Sequence, residues 1–135
     1  MKQSQTPNPT AAELEILRVL WTRGASTVRD VHEVLNASRP TGYTTVLKLM
    51  QIMTAKGLAK RNEEQRAHVY EASLAAEQTK RRLVGDLLDR AFGGSASDLM
   101  MHALSKRGSP EEIAEIRRLL DEYEQKDLNE GGRRR

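Results

Sequence analysis

The chain has 135 residues, no cysteine, 30% charged and only 4% aromatic residues, and a formal net charge of +3. That length suits one domain with a small appendage, and the lack of cysteine excludes disulfides, a thiolate nucleophile and thiolate metal sites. No apolar run approaches the ~20 residues that span a bilayer, and "MKQSQTPNPT" lacks the apolar segment of a signal peptide, so a cytoplasmic protein without direct membrane insertion is expected.

In chain order, residues 1–9 read as a disordered arm. Thr10 and Glu13, in Thr-Ala-Ala-Glu, form a capping-box pattern that opens a first helix. Its apolar stripe is Leu14, Leu17, Leu20 and Trp21, with Trp21 assigned to the core, and it runs to about Arg23 before Gly24 stops it. Thr27 caps a shorter second helix with Val28, Val31, Val34 and Leu35 on one face. A polar turn over 36–42 leads into a third helix ending at Gly57, whose buried face is Val46, Leu49, Met50 and Met53 at i, i+3, i+4 and i+7. The stretch "LAKRNEEQRAHVYEAS" has no helical period. Residues 58–62 and 67–72 flank a polar turn at 63–66, which predicts a β-hairpin with His68 partly buried. Three helices and a hairpin are the order of a winged helix-turn-helix, assigned to 10–73.

The remainder reads as helix only. Leu83, Val84, Leu87, Leu88, Ala91 and Phe92 form one stripe of a fourth helix ended by Gly93-Gly94. Ser95 or Ser97 starts a fifth helix with Leu99, Met100, Ala103 and Leu104. Ser109-Pro110-Glu111-Glu112 is a strong start signal for a sixth, carrying Ile113, Ile116, Leu119, Leu120 and Tyr123. Residues 124–135 read as a disordered tail. The predicted fold is mainly α with a small β-hairpin wing, the winged helix-turn-helix being followed by a helical dimerisation region over 74–123. Three short helices with a few large apolar residues each cannot cover themselves in a monomer. Leu83, Leu87, Phe92, Ile116, Leu120 and Tyr123 are therefore the candidates for contact across a two-fold axis.

The third helix poses a chemical question. Its first turn is Tyr43, Thr44 and Thr45, mediocre helix formers that lose side-chain freedom there. Thr44, Lys48, Gln51 and Ala55 fall opposite its apolar face, presenting hydroxyl, ammonium and amide groups. Such groups match base edges and phosphates in a DNA major groove, and a recognition helix meets DNA with its N-terminal residues. The plainer reading is that Thr41 caps the helix while Thr44 and Thr45 are merely tolerated. Charge favours the DNA reading: residues 39–68 hold six Lys and Arg against two Glu, whereas residues 74–135 balance at twelve of each sign. The DNA-binding candidates are Arg39, Thr41, Tyr43, Thr44, Thr45, Lys48 and Gln51, with Arg61 and Arg66 on the hairpin against phosphates.

No cofactor or metal is expected, because His32, His68 and His102 lie far apart with no acidic partner at ligand spacing. The carboxylates of the sixth helix read as a solvated face, and no catalytic constellation is present, so the chain is not expected to be an enzyme. The competing reading is a dimeric protein-interaction adaptor that uses the winged helix as a docking surface.

The segments "PTAAELEILRVLW", "STVRDVHEVL", "GYTTVLKLMQIMTAKGLAKR" and "LLDRAFGGS" resemble, in order and spacing, signatures of the BlaI/MecI/CopY penicillinase-repressor family of winged-helix transcriptional regulators. The resemblance spans roughly residues 9–123. It implies a bacterial homodimeric repressor whose C-terminal helices form the dimer interface and whose operator DNA is an inverted repeat. It also implies induction by a membrane-bound sensor protease that cuts within the fifth helix, near His102-Ala103 here. The sequence departs from the family at that bond, where asparagine and phenylalanine are usual. It departs again at Lys48 and Ile52, where threonine and arginine are frequent, and it lacks the cysteine-bearing tail of the copper-responsive branch.

Overall fold

The structure is a computed structural model that describes residues 6–64 and 66–133. Six helices and one hairpin follow in the order α1 (Ala11–Arg23), α2 (Val28–Ser38), α3 (Tyr43–Lys56), β1 (Ala59–Asn62), β2 (Val69–Ala72), α4 (Ala76–Phe92), α5 (Ala96–Arg107) and α6 (Pro110–Arg133). They divide into two compact units, with the boundary between Gly85 and Asp86.

Reciprocal caps start the first two helices. Thr10 and Glu13 exchange side chain-to-backbone bonds of 3.2 and 2.9 Å at α1, and Thr27 and Asp30 do the same at α2 with bonds of 3.1 Å. Each pair satisfies N–H groups that a helix start otherwise leaves open. Gly57 ends α3 in the left-handed region at φ 86°, its N–H reaching the Met53 and Thr54 carbonyls, and the chain turns directly into β1.

Helices α1, α2 and α3 pack around Ile16, Leu17, Val31, Val46, Met50 and Met53, all buried, and the hairpin closes this core with Leu58, Ala59 and Tyr70. The hairpin is antiparallel, with Ala59 opposite Ala72 and Asn62 opposite Val69. Ser26 extends it: its N–H and C=O bond the Tyr70 backbone at 2.9 and 2.8 Å, adding a one-residue third strand from the α1–α2 connection. This anchor fixes the wing to the helices. Trp21 is half-buried against the core, and its indole N–H reaches the Leu74 carbonyl at 3.0 Å.

Glu13 is 2% exposed and receives the Lys56 ammonium at 2.8 Å, so the start of α1 is tied to the last turn of α3. Burial pushes its carboxyl pKa up. The Lys56 and Thr10 hydrogen bonds outweigh that and hold it below the ordinary 4.5.

In the second unit Gly93 and Gly94, at φ 56° and 84°, end α4, and the Ser95 hydroxyl accepts from the Asp98 N–H at 3.1 Å to start α5. Ser109 accepts from the Glu112 N–H at 3.1 Å ahead of α6, with Pro110 as its first residue.

Several expectations need correction. The core of α1 includes Ile16 and Val19, while Leu14 is only half-buried, because the buried stripe is wider than the one read from leucine spacing. The expected tail over 124–135 is helical through Arg133, since residues 124–130 contain neither Pro nor Gly to stop α6; residues 134–135 lie outside the described residues. Residues 1–5 of the expected arm also lie outside them, and from Thr6 the chain is held by Arg82, which donates to the Thr6 carbonyl. His68 is exposed rather than partly buried, because it precedes the paired residues of β2.

Candidate nucleic-acid interface

The outward face of α3 is built as its periodicity requires. Val46, Met50 and Met53 point into the core, which leaves Thr44, Lys48 and Gln51 exposed on the other side and Tyr43 and Thr45 exposed at its edges. Thr41 does not cap this helix. Gly42 is the N-cap and makes no side-chain cap bond, while the Thr41 hydroxyl donates to the Arg39 carbonyl at 2.7 Å. The first-turn N–H groups of α3 are thus not taken by a side-chain cap, which suits an approaching phosphate.

A cleft runs between α3 and the wing. Tyr43, Leu47 and Gln51 line it from α3, Arg61, Arg66 and His68 from the hairpin, and Thr27 and Arg29 from the start of α2. The wing therefore lines this cleft with the cations Arg61 and Arg66 on the side that faces α3. Arg61 pairs with Glu63, and its pKa is raised by hydrogen bonds to Tyr70 and Glu63, so part of its charge is already answered. Arg66 is exposed and has no carboxylate within ion-pair distance among the described residues. Arg39 is not brought to this cleft. It sits at the end of α2, bonded to Glu15 of α1 at 2.9 Å in a groove between those helices.

Sequence reading missed Thr27, Arg29 and His68 as cleft residues. The Ser26–Tyr70 bridge, one residue before Thr27, brings the start of α2 beside the wing, and no local motif announces that. Among the described residues there is no group of three or more His, Cys, Asp or Glu able to hold a metal ion. No helix among them is long and apolar enough to cross a membrane.

In the second unit the proposed contact residues vary in exposure. Leu87, Leu120 and Tyr123 are 49%, 61% and 68% exposed, Ile116 is half-buried, and Phe92 packs its ring against His102 at 5.5 Å. Leu83, half-buried, belongs to the first unit. His102 and Ala103 are both exposed within α5, a helix with no buried residue.

Three helices, a hairpin pinned by a third strand and a basic cleft beside an exposed helix face define a winged helix-turn-helix protein. Its sequence matches the penicillinase repressor family over residues 9–122. It is 34% identical over 114 residues to the transcriptional regulator BlaI of Mycobacterium tuberculosis, covering 83% of this chain and 82% of that one. It is 23% identical over 118 residues to the penicillinase repressor of Bacillus licheniformis, covering 87% of this chain and 92% of that one. The multiple antibiotic resistance repressor MarR shares the fold at a TM-score of 0.51, with 18% identity over 86% of this chain and 77% of its own. The chain belongs to the penicillinase repressor family.

Proposed function

We propose that this chain is a cytoplasmic, sequence-specific DNA-binding transcriptional repressor that acts as a homodimer on an inverted-repeat operator. It is a regulator and not an enzyme. The observation that carries the reading is the exposed Thr44, Lys48 and Gln51 face of α3 beside a cationic wing. Gln suits adenine, Lys suits guanine and the threonine methyl suits thymine, while Arg66 neutralises backbone charge. Family membership supports the same reading. The second unit supplies the dimer contacts, with Leu87, Phe92, Ile116, Leu120 and Tyr123 from it and Leu83 from the first. Tyr43, Thr45 and Arg61 join the DNA surface, and Thr41 and Arg39 flank it.

Selection of duplexes from a random library by the full-length protein tests this. The enriched duplex should bind at least ~10³-fold more tightly than a scrambled one at physiological salt. Equal affinity for both would favour the adaptor reading instead.

Release of the operator follows, in this reading, from cleavage by a membrane sensor protease near His102-Ala103. The bond lies in an exposed helix with no buried residue, so local opening of α5 is inexpensive. Cutting there separates α6 from the chain and ends the linkage that makes two half-site contacts act together. An immunoblot after exposure of host cells to a cell-wall antibiotic checks it. A repressor that leaves its operator at full length rules cleavage out.

A further inference from the structure

The turn that feeds the reading helix is gripped from one side. His32 and Asn36 lie one helical turn apart on α2, and both reach the same residue, Thr41. Asn36 Oδ1 accepts from the Thr41 N–H at 2.9 Å, and His32 Nε2 lies 2.8 Å from the Thr41 carbonyl oxygen. A carbonyl oxygen can only accept, so Nε2 carries the proton and the tautomer of the ring is set by this contact. Both backbone polar groups of Thr41 are thus satisfied by α2, immediately before the Gly42 N-cap.

The same imidazole has a second contact. Its ring meets the Tyr43 ring edge-on, with centroids 5.6 Å apart and planes at 76°, a favourable arrangement for two aromatic rings. Tyr43 is the first residue of α3 and 47% exposed, so one of its faces is braced while the rest stays open. Gly42 makes no side-chain cap bond, so the His32–Asn36 grip fixes the residue before this helix start while leaving its first-turn N–H groups open.

We propose that His32, with Asn36, is a positioning residue for DNA reading: it sets the angle at which α3 leaves the turn and holds the Tyr43 ring for the groove. His32 touches no base in this scheme; it acts through Thr41 and Tyr43. The inference rests on α3 being the reading helix. A rigid start to that helix keeps Thr44 and Lys48 at one height in the groove, which matters for base edges and hardly at all for phosphates. Loss of the grip should therefore cost specificity more than general affinity.

The test uses the full-length protein, the duplex it enriches from a random library, and a scrambled duplex of equal length. Three variants are compared at a temperature where circular dichroism shows all of them folded. His32→Phe keeps a ring against Tyr43 and removes the donor; it should weaken binding to the enriched duplex by about 5- to 10-fold, the value of one lost hydrogen bond. Asn36→Ala should do likewise. Both should stay within about 2-fold of wild type on the scrambled duplex, because the phosphate contacts are untouched. His32→Gln, whose amide can still donate to the Thr41 carbonyl, should recover part of the loss. Nitrogen-15 spectra of the wild-type imidazole should show the proton on Nε2. Unchanged affinity of His32→Phe for the enriched duplex, or equal loss on both duplexes, overturns the proposal. Failure of the wild type to enrich any duplex overturns the reading-helix assignment itself.

Discussion

In the first unit Ile16, Val31, Val46, Met50 and Met53 are fully buried, and Tyr70 is nearly so, whereas α5 and α6 of the second unit expose Met101, Ile113, Leu119, Leu120, Tyr123 and Leu128. Both regions are mainly helical, so helix content does not separate them. What differs is closure: a wing anchored through Ser26 shuts the first core, while α5 and α6 have apolar residues with no cover in the described chain. A helix held only by its own hydrogen bonds is marginal in water, and most helical stability comes from packing. The first unit thus closes its own core, whereas the second leaves apolar residues exposed where the second copy is proposed to sit.

Charging the second unit's exposed face should break this contrast most sharply. Leu120→Asp in the full-length protein places a carboxylate where the two copies are proposed to meet, and burial of an unpaired charge is costly. The dimer dissociation constant should rise at least ~100-fold in sedimentation equilibrium, with a parallel loss of affinity for the enriched duplex. Hydrogen exchange in α1 to β2 should stay as it was. A wild-type chain that sediments as a folded monomer at micromolar concentration would remove the basis of the contrast.

Next in size is an attack on the closed unit. Lys56→Met removes the partner of a carboxylate that is 2% exposed. The Lys56 side chain is 32% exposed, so the loss should be about 2–4 kcal/mol in urea unfolding, at or below the range for a fully buried pair. Acid should shrink it. The Glu13 carboxyl titrates below 4.5 when folded, so its stabilising share is whole above 4.5 and disappears as pH falls through the lower folded value. In the variant the carboxylate is buried without its cation, and protonation relieves it. The gap between wild type and Lys56→Met should therefore narrow between about pH 7 and about pH 3. A gap that widens on acidification would mean that Glu13 is not the group concerned.

Much of this was legible beforehand, and the misses share a cause. Thr10, Thr27, Ser109 and the choice of Ser95 or Ser97 announced four helix starts because capping is a local exchange within one turn, and the cap of α5 is Ser95. The alternating residues within 67–72 announced β2, which spans Val69–Ala72, because strand alternation is also a local pattern. Ser26 did not announce its strand, since a single bridged residue has no period. Glu13 was legible as a capping residue and not as one end of an ion pair 43 residues long. The Thr44, Lys48 and Gln51 face could be drawn from a helical wheel, whereas only tertiary contacts put Arg29 in the cleft, through the Ser26–Tyr70 bridge, and Arg39 outside it, beside Glu15. Local chemistry was readable; tertiary placement of charge was not.

Within the first unit the contrast can be sharpened between the helix face and the wing. Lys48→Ala, if it removes a contact to guanine, should cost about 1–3 kcal/mol on the enriched duplex and little on the scrambled one in anisotropy titrations. A uniform loss on both duplexes would make Lys48 a phosphate contact instead.

The smallest expected effects belong to the wing arginines, and Arg66 separates the two kinds of contact most cleanly. Arg66 is exposed on the wing, and no carboxylate among the described residues pairs with it. A guanidinium laid on a phosphate displaces condensed counterions and carries no sequence information. Arg66→Ala should therefore weaken binding to every duplex by a similar factor, and the slope of log K against log salt should fall by about one unit per site. Arg61→Ala should move the slope less, because Glu63 already answers part of that charge in the free protein and must be displaced when DNA arrives. Measuring both slopes on the scrambled duplex removes any contribution from base reading. Equal changes for Arg61 and Arg66 would show that the Glu63 pair opens freely in solution, and no change for Arg66 would take the wing turn off the DNA.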